Sequence, residues 1–549
     1  RILNYGHTFG HALESVMNNK IPHGQAVVIG IDIVNYISYR LGFLPENIFR
    51  ECRCYYDKLY SDCSLVSFEV CLLLDRIKKD KKTSNGDILL ALMRSPGDFF
   101  LKRVSIDGEL HALFVSYLDN YINFLEVSLS EDELYFKSIE NKIDETIRKI
   151  ETLDDSSRFK KYLLGNIYLQ WATVNLRFRN YITGVIQLNK SYRLMTQNDN
   201  DFPNFFPNKI TLGVLHIMIG IVPDSYQWLL NLVSIKGTVS EGKNELEYAL
   251  EQTDYNPSFD YLSNEIIFYK GMVELSLSPD PNLARYLLSR IDNNVNNNLL
   301  LSYLIINIFM KNGENDKALE MFHNIDYTYN YFPFYYMDYL KGECYLRKLD
   351  LSKSEQSLET FRNNFSGVNY MKDAQLKIAW CNLLNGDTAK YLSSIENIKN
   401  IGATDLDADK KAQDISFDKS IPNIELLKAR LFFDGGYYYK ADSVINNITN
   451  KDLKTLEITE LNYRRARISH ALNNNEKAKL EYVQTINLGK TLPYYYAGNS
   501  ALKLGNIYEL EGDTINALIY YKLCIDMNFN EYRNSIRGKA KQGIQRLKH

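Results

Sequence analysis

No stretch of this sequence offers the roughly twenty consecutive apolar residues that a membrane-spanning helix needs. The longest candidate, ITLGVLHIMIGIVPDSYQWLL, is broken by His216, Pro223 and Asp224, so no membrane partner is expected. Cysteine is sparse, and its seven copies form no metal-ligand pattern: Cys52, Cys54, Cys63 and Cys71 are loosely grouped, but the C-x-C pair has no matching second pair. Such thiols read as reduced side chains on helices, in a reducing compartment such as the cytoplasm. An excess of one charge is missing too. Lys and Arg number 64 against 67 Asp and Glu, a net charge of −3, and the two signs are mixed throughout. That balance excludes a basic stripe of the kind that grips nucleic acid or an anionic membrane surface. No glycine-rich strand-turn-helix fingerprint for a dinucleotide occurs anywhere. Finally, the sequence opens at Arg1 with no initiator methionine, as the end of something larger would.

What is present is a long, mostly helical chain. At 549 residues it is too long for one hydrophobic core and divides into several domains or a repeat array. Its 45% hydrophobic and 24% charged content is ordinary for a globular protein, and only the 41 tyrosines stand out. The character changes near residues 125–140. Before that point lie histidines, a Gly-Gln turn after His23 and the lysine run KKDKKTSNGD; after it, glycine is rare and small and aromatic positions recur. The charged, weakly hydrophobic segment between them reads as a helical connector over 127–157.

The C-terminal part repeats. A small residue is followed three positions on by an aromatic, twelve on by a small residue and sixteen on by a bulky one. Gly505, Tyr508, Ala517 and Tyr521 follow the pattern, as do Gly342, Tyr345, Ser354 and Leu358, and Ala429, Phe432, Ala441 and Ile445. Ala466, Ser469, Ala478 and Tyr482 fit with a weak aromatic slot, and Ile306, Phe309, Ala318 and Phe322 with a bulky first slot. One wider gap leaves room for a degenerate copy around Ala379 and Cys381. The skeleton resembles the tetratricopeptide repeat, in which small residues let two antiparallel helices approach while aromatics fill the seam. An α-solenoid over 158–549 is expected, with a protein or peptide partner in its groove. Residues 140–270 are helical in pattern but do not register on the repeat.

The opening stretch RILNYGHTFGHALESVMNNKIPHGQAV gathers His7, His11 and His23, three of the eight histidines. On a helix His7 and His11 lie one turn apart on one face. Such a pair commonly supplies two nitrogens to zinc, but a metalloprotease also needs Glu after the first His, where this chain has Thr8. Two readings stand on the residues alone: a metal on two of the three imidazoles, or helix histidines satisfied by backbone or carboxylate partners.

LNYGHTFGHALE, then HGQAVVIG, then Asp80, Lys81 and Lys82, in that order and spacing, closely resembles the C-terminal half of 3-dehydroquinate synthase, and the likeness runs across residues 1–126. The resemblance implies an all-α fold class: the helical C-terminal metal and substrate domain of such an enzyme, followed by the α-solenoid. It implies that His7 and His23 are ligands of Zn2+ or another divalent metal, with a third ligand, a glutamate, upstream of this chain. It gives His11, Lys81 and Lys82 catalytic roles, and gives Asn4, His11, Lys81 and Lys82 contacts to a phosphorylated seven-carbon sugar-acid substrate. Family members are lyases of the shikimate route to aromatic amino acids. They use bound NAD for a transient oxidation, then eliminate phosphate and close the ring; zinc polarises the reacting oxygen, imidazoles bind it or relay protons, and lysines neutralise anions.

Two departures bear on this. Gln25 stands where most members carry Glu after His-Gly, which leaves related cyclases of specialised metabolism open as an alternative. The dinucleotide-binding half, with the missing zinc glutamate, is also absent from these 549 residues. NAD is therefore expected to act only through that missing domain, and this polypeptide alone is expected to be inactive. A repeat scaffold carrying a non-catalytic cyclase remnant is the competing reading.

Overall fold

The computed structural model describes residues 5–16, 21–40, 42–60, 77, 83–84, 87–105, 108–222, 235–277, 281–291, 298–325, 331–449 and 453–547. By compactness the chain forms two units, residues 1–125 with 134–263, and residues 126–133 with 264–549. The main division falls after Ser263, and the change in sequence character near residues 125–140 meets only the short excursion of residues 126–133 into the second unit. Helices dominate both units, as the sequence predicts, and no helix among the described residues is long and apolar enough to cross a membrane.

The first unit opens with α1 (His7–Val16), α2 (His23–Arg40) and α3 (Glu46–Tyr60), followed by a small antiparallel sheet of β1 (Thr83–Ser84), β2 (Asp87–Ser95) and β3 (Asp98–Ser105), in the order β1-β2-β3. This sheet is the exception to helical structure among the described residues. Its hairpin turns at Pro96-Gly97, where Gly97 takes a positive φ of 89°. Ile88, Leu90 and Leu92 alternate along β2 and pack with Ala12, Leu13 and Val34 into one core, while Ala91 and Met93 on the other face of the strand are buried as well. That core seats α1 and α2.

The unit continues with α4 (Gly108–Ser130), α5 (Glu133–Glu151), α6 (Arg158–Arg177), α7 (Tyr181–Asp201), α8 (Pro207–Gly220) and α9 (Val239–Tyr255). The segment read as a connector is a packed amphipathic helix. Phe136, Ile139, Ile143 and Ile150 of α5 are buried, and Phe136 stacks on Trp171 with ring centres 5.4 Å apart. The indole of Trp171 in turn donates to Asn120 at 2.8 Å, so its buried N–H is satisfied. On α8, His216 is buried with Nδ1 2.6 Å from Glu245 of α9. Burial works against charging this imidazole, but the Glu245 carboxylate outweighs it and raises the pKa above the ordinary histidine value.

The second unit runs through α10 (Ser263–Leu277), α11 (Pro281–Arg290), α12 (Leu299–Lys311), α13 (Asn315–Asn324), α14 (Tyr336–Lys348), α15 (Leu351–Asn364), α16 (Met371–Leu384), α17 (Thr388–Asn397) and α18 (Asp407–Asp418). It ends with α19 (Ile424–Asp434), α20 (Tyr438–Asn446), α21 (Thr455–Ala471), α22 (Asn475–Gly489), α23 (Tyr496–Leu510), α24 (Thr514–Asp526) and α25 (Arg533–Arg546). The five repeats read from sequence are the helix pairs α12–α13, α14–α15, α19–α20, α21–α22 and α23–α24. Their small twelfth positions, Ala318, Ser354, Ala441, Ala478 and Ala517, are all completely buried. A methyl group added at Gly342 would lie 2.6 Å from Leu358, and one at Gly505 2.5 Å from Tyr521, so the seam leaves no room for a side chain there. The wider gap holds the degenerate copy α16–α17, with Tyr391 in the slot that is otherwise small and its hydroxyl donating to Ser420 O at 2.6 Å. The additional helix α18 accounts for the rest of the gap.

The aromatic slot has a backbone role as well. In every pair the carbonyl three residues after the small position accepts from the N–H five residues further on: Phe309 from Glu314, Tyr345 from Asp350, Asn382 from Asp387, Phe432 from Tyr437, Ser469 from Asn474 and Tyr508 from Asp513, at 2.8–3.0 Å. The residue before each donor is left-handed, usually glycine, and Asp350, Asp387, Asn474 and Asp513 then cap the next helix with their side chains. One short turn therefore ends a helix, reverses the chain and starts the partner.

Two outcomes test these statements. Gly512 has φ +80° and no atom near the position a Cβ would take, so Gly512→Ala is expected to cost about 1 kcal/mol by backbone conformation alone, read by chemical denaturation. His216 gains its partner on folding, so its contribution to stability is complete below the unfolded value near 6.5 and is lost as pH rises through the higher folded value. Melting temperature should therefore fall across that window in the native chain, and His216→Gln should flatten the fall.

Candidate metal and substrate site

The crossing of α1 and α2 is set by glycine. Gly6, at φ +74°, precedes His7, and a Cβ on it would lie 2.5 Å from the backbone N of Ile31. A Cβ on Gly30 would run into the carbonyl of Gly6, which itself accepts from Gly10 N at 2.9 Å. The helices touch backbone to backbone, and this close approach brings the start of α2, with His23, beside the first turns of α1.

Three imidazoles meet there. Ring centres lie 5.7 Å apart for His7 and His11, 5.9 Å for His7 and His23, and 5.3 Å for His11 and His23, the last pair stacked. Glu14 lies between two of them, with one carboxylate oxygen 3.0 Å from Nδ1 of His11 and the other 3.0 Å from Nδ1 of His23. His7 places Nδ1 3.2 Å from the carbonyl oxygen of Tyr5. Carboxylate and carbonyl oxygens only accept, so each of these Nδ1 atoms donates, and a neutral ring in this tautomer presents Nε2 as the acceptor. The imidazoles of His11 and His23 are largely exposed, whereas Glu14 is mostly covered. Its partial burial opposes ionisation, but the two histidine contacts win and hold its carboxyl below the usual glutamate range.

The donor chemistry fits a divalent metal. His11, Glu14 and His23 could each offer one ligand atom, all within 4.8 Å of one another, while His7 lies outside that grouping. Metal-binding histidines commonly turn their second nitrogen to a carboxylate or carbonyl, the part Glu14 and the Tyr5 carbonyl play at Nδ1 here.

Below the site, Tyr5 buries its hydroxyl against Asn35 of α2 and 3.9 Å from the sulfur of Met93 on β2, and burial raises its pKa. The tyrosine anchors the segment that leads into His7.

Of the residues singled out from sequence, the structure brings His7, His11 and His23 together. Asn4, Lys81 and Lys82 lie outside the described residues. Glu14 was missed. Its signal was available as spacing: it follows His11 by three and His7 by seven, on the same helical face. Gln25, where a glutamate was expected, sits in the first turn of α2.

Residues 1–83 match the 3-dehydroquinate synthase C-terminal family. The 3-dehydroquinate synthase of Picrophilus torridus is 38% identical over 113 residues, covering 20% of this chain and 33% of its own length. That of Alkaliphilus metalliredigens is 35% identical over 99 residues, covering 18% and 28%. Among solved structures, a human IFIT1 dimer aligns over 78% of this chain and 93% of its own at 13% identity and a TM-score of 0.29. Yeast Tom70 aligns over 80% and 93% at 11% identity and a TM-score of 0.24. The chain spans about a third of the length of the curated relatives it matches, and its first 83 residues are similar to the C-terminal domain of 3-dehydroquinate synthase.

Proposed function

We propose that the N-terminal segment is the metal- and substrate-holding part of a 3-dehydroquinate synthase-like sugar-phosphate cyclase, a carbon–oxygen lyase. The array of helix pairs is its attached module for a protein or peptide partner. The observation that carries this reading is the convergence of three imidazoles, each with Nδ1 turned to an acceptor, on the motif that matches the family.

Zinc or a related divalent ion would be held by Nε2 of His7 and His23, with a further ligand from outside these residues, and when bound it would supply Lewis acidity to a substrate oxygen. Glu14 and the Tyr5 carbonyl fix the tautomers that make this possible. His11 would present Nε2 beside the same ion and is suited to hold a substrate hydroxyl or carry its proton. Lys81, Lys82 and Asn4 complete the reading as anchors for the carboxylate and phosphate of a seven-carbon sugar acid. NAD belongs to a dinucleotide-binding segment beyond these 549 residues, which contain no fingerprint for it.

The site is tested by zinc titration against a chelating dye. Glu14→Gln is expected to weaken zinc about ten- to a hundredfold, as loss of an orienting carboxylate does. His7→Ala and His23→Ala should weaken it further, and zinc affinity indifferent to all three changes would end the metal reading. A second measurement follows phosphate release from the phosphorylated sugar acid with zinc and NAD supplied. This chain alone should release none, and steady turnover would show that no further segment is needed.

A further inference from the structure

The second unit encloses a cavity of about 760 Å³, lined by residues from α10 to α25. The array reaches around it because two inter-helix turns meet. Gly436, after α19, packs on the backbone of Gly313, after α12, and the Tyr437 hydroxyl bonds to Asp316 at 2.9 Å and to Asn315 at 3.1 Å. Helices far apart in sequence therefore face one space.

That space is strongly cationic: eight lysine and arginine side chains line it, against the single carboxylate of Asp434. The arginines are held in place. Arg430 and Arg467 each lie 3.6 Å from Asp434, and Arg464 lies 2.7 Å from Glu460. Arg347 lies 3.8 Å from Glu343, and Arg546 bonds both oxygens of Glu509 at 2.8 Å.

The lysines differ. Lys311 at the end of α12, Lys503 on α23 and Lys539 on α25 pair with no carboxylate among the described residues. The charges acting on Lys503 are Arg467, Lys539 and Lys311; those on Lys311 are Lys539 and Arg347. Burial together with these like charges pushes the Lys503 ammonium down to about 8 and lowers Lys311 as well. The three ammonium groups line one cavity without a carboxylate partner and repel one another there, and an anion between them would remove that repulsion.

We propose that this cavity binds a compact ligand carrying several phosphoryl groups, gripped by Lys311, Lys503 and Lys539, with the carboxylate-held arginines around it. Clustered phosphates put several charges and many acceptor oxygens into a small volume, as three convergent lysines require. The volume suits a body of nucleotide size and not a folded partner. The faces of Tyr463 and Tyr495 and the amides of Asn499 and Asn506 line the same space and would meet the uncharged part of the ligand.

The test is calorimetric titration of the whole chain with inorganic tripolyphosphate, then with ATP and with inositol hexakisphosphate, and with an oligoglutamate peptide for comparison. Tripolyphosphate is expected to bind, more weakly as salt is added, and the ratio of ATP to inositol hexakisphosphate affinity identifies a nucleotide or a cyclitol source. The double variant K503Q/K539Q should lose about tenfold or more in affinity, the effect of removing charge-assisted hydrogen bonds. Without ligand it should melt at or above the parent temperature. K539Q alone, at an exposed position, gives the same reading should the double variant fold poorly. No heat with any phosphate probe, equal affinity in the variants, or tighter binding of oligoglutamate would overturn the proposal.

Discussion

Helices in this protein approach one another at positions that hold no side chain, and the features that bear chemistry follow from that closeness. In α1 and α2 the contact runs through Gly6, Gly10 and Gly30, and the carbonyl of Gly6 lies where a methyl on Gly30 would have to go. Only at this separation does His23 come within stacking distance of His11. In the second unit Gly342 and Gly505 do the same work against Leu358 and Tyr521. Dispersion falls steeply with separation, so a seam opened by one methyl loses contacts along the whole pair.

Carboxylates play a consistent part around the cations of both units. Glu14 occupies the Nδ1 atoms of two imidazoles and so decides which nitrogens remain available. In the array, Asp434, Glu460, Glu343 and Glu509 each hold an arginine that lines the cavity. An arginine so held loses little further side-chain freedom when it meets a ligand, which favours binding. The three lysines without such partners stand out against this arrangement, and their charge in the cavity is uncompensated.

Much of the architecture was legible in the residues. The repeat offsets named the small, aromatic and bulky slots, because an i, i+3 and a turn-plus-twelve spacing are fixed by helical geometry and a short reversal. The slot occupied by Phe309, Tyr345 and Tyr508 proved also to supply the carbonyl that closes the turn. The connector helix was read as weakly apolar, since Phe136, Ile139, Ile143 and Ile150 are diluted by charges, yet they form one continuous buried stripe. The hairpin of β2 and β3 escaped notice because LLALM carries no clear alternation until one face is covered by α1 and α2. Glu14 stood within a quoted motif, but nothing local says that its carboxylate reaches across to a histidine nine residues on.

The sequence by itself determined the helical class, the repeat register, the turn chemistry and the three histidines, because each depends on neighbours within a few turns of chain. Only the tertiary structure decided that His23 joins His7 and His11, and that lysines 311, 503 and 539 share one cavity. A mixed charge pattern along the chain says nothing of such a gathering. Charges interact through space and not along the backbone, so a near-neutral sequence folded into closing helix pairs can still concentrate one sign at a single place.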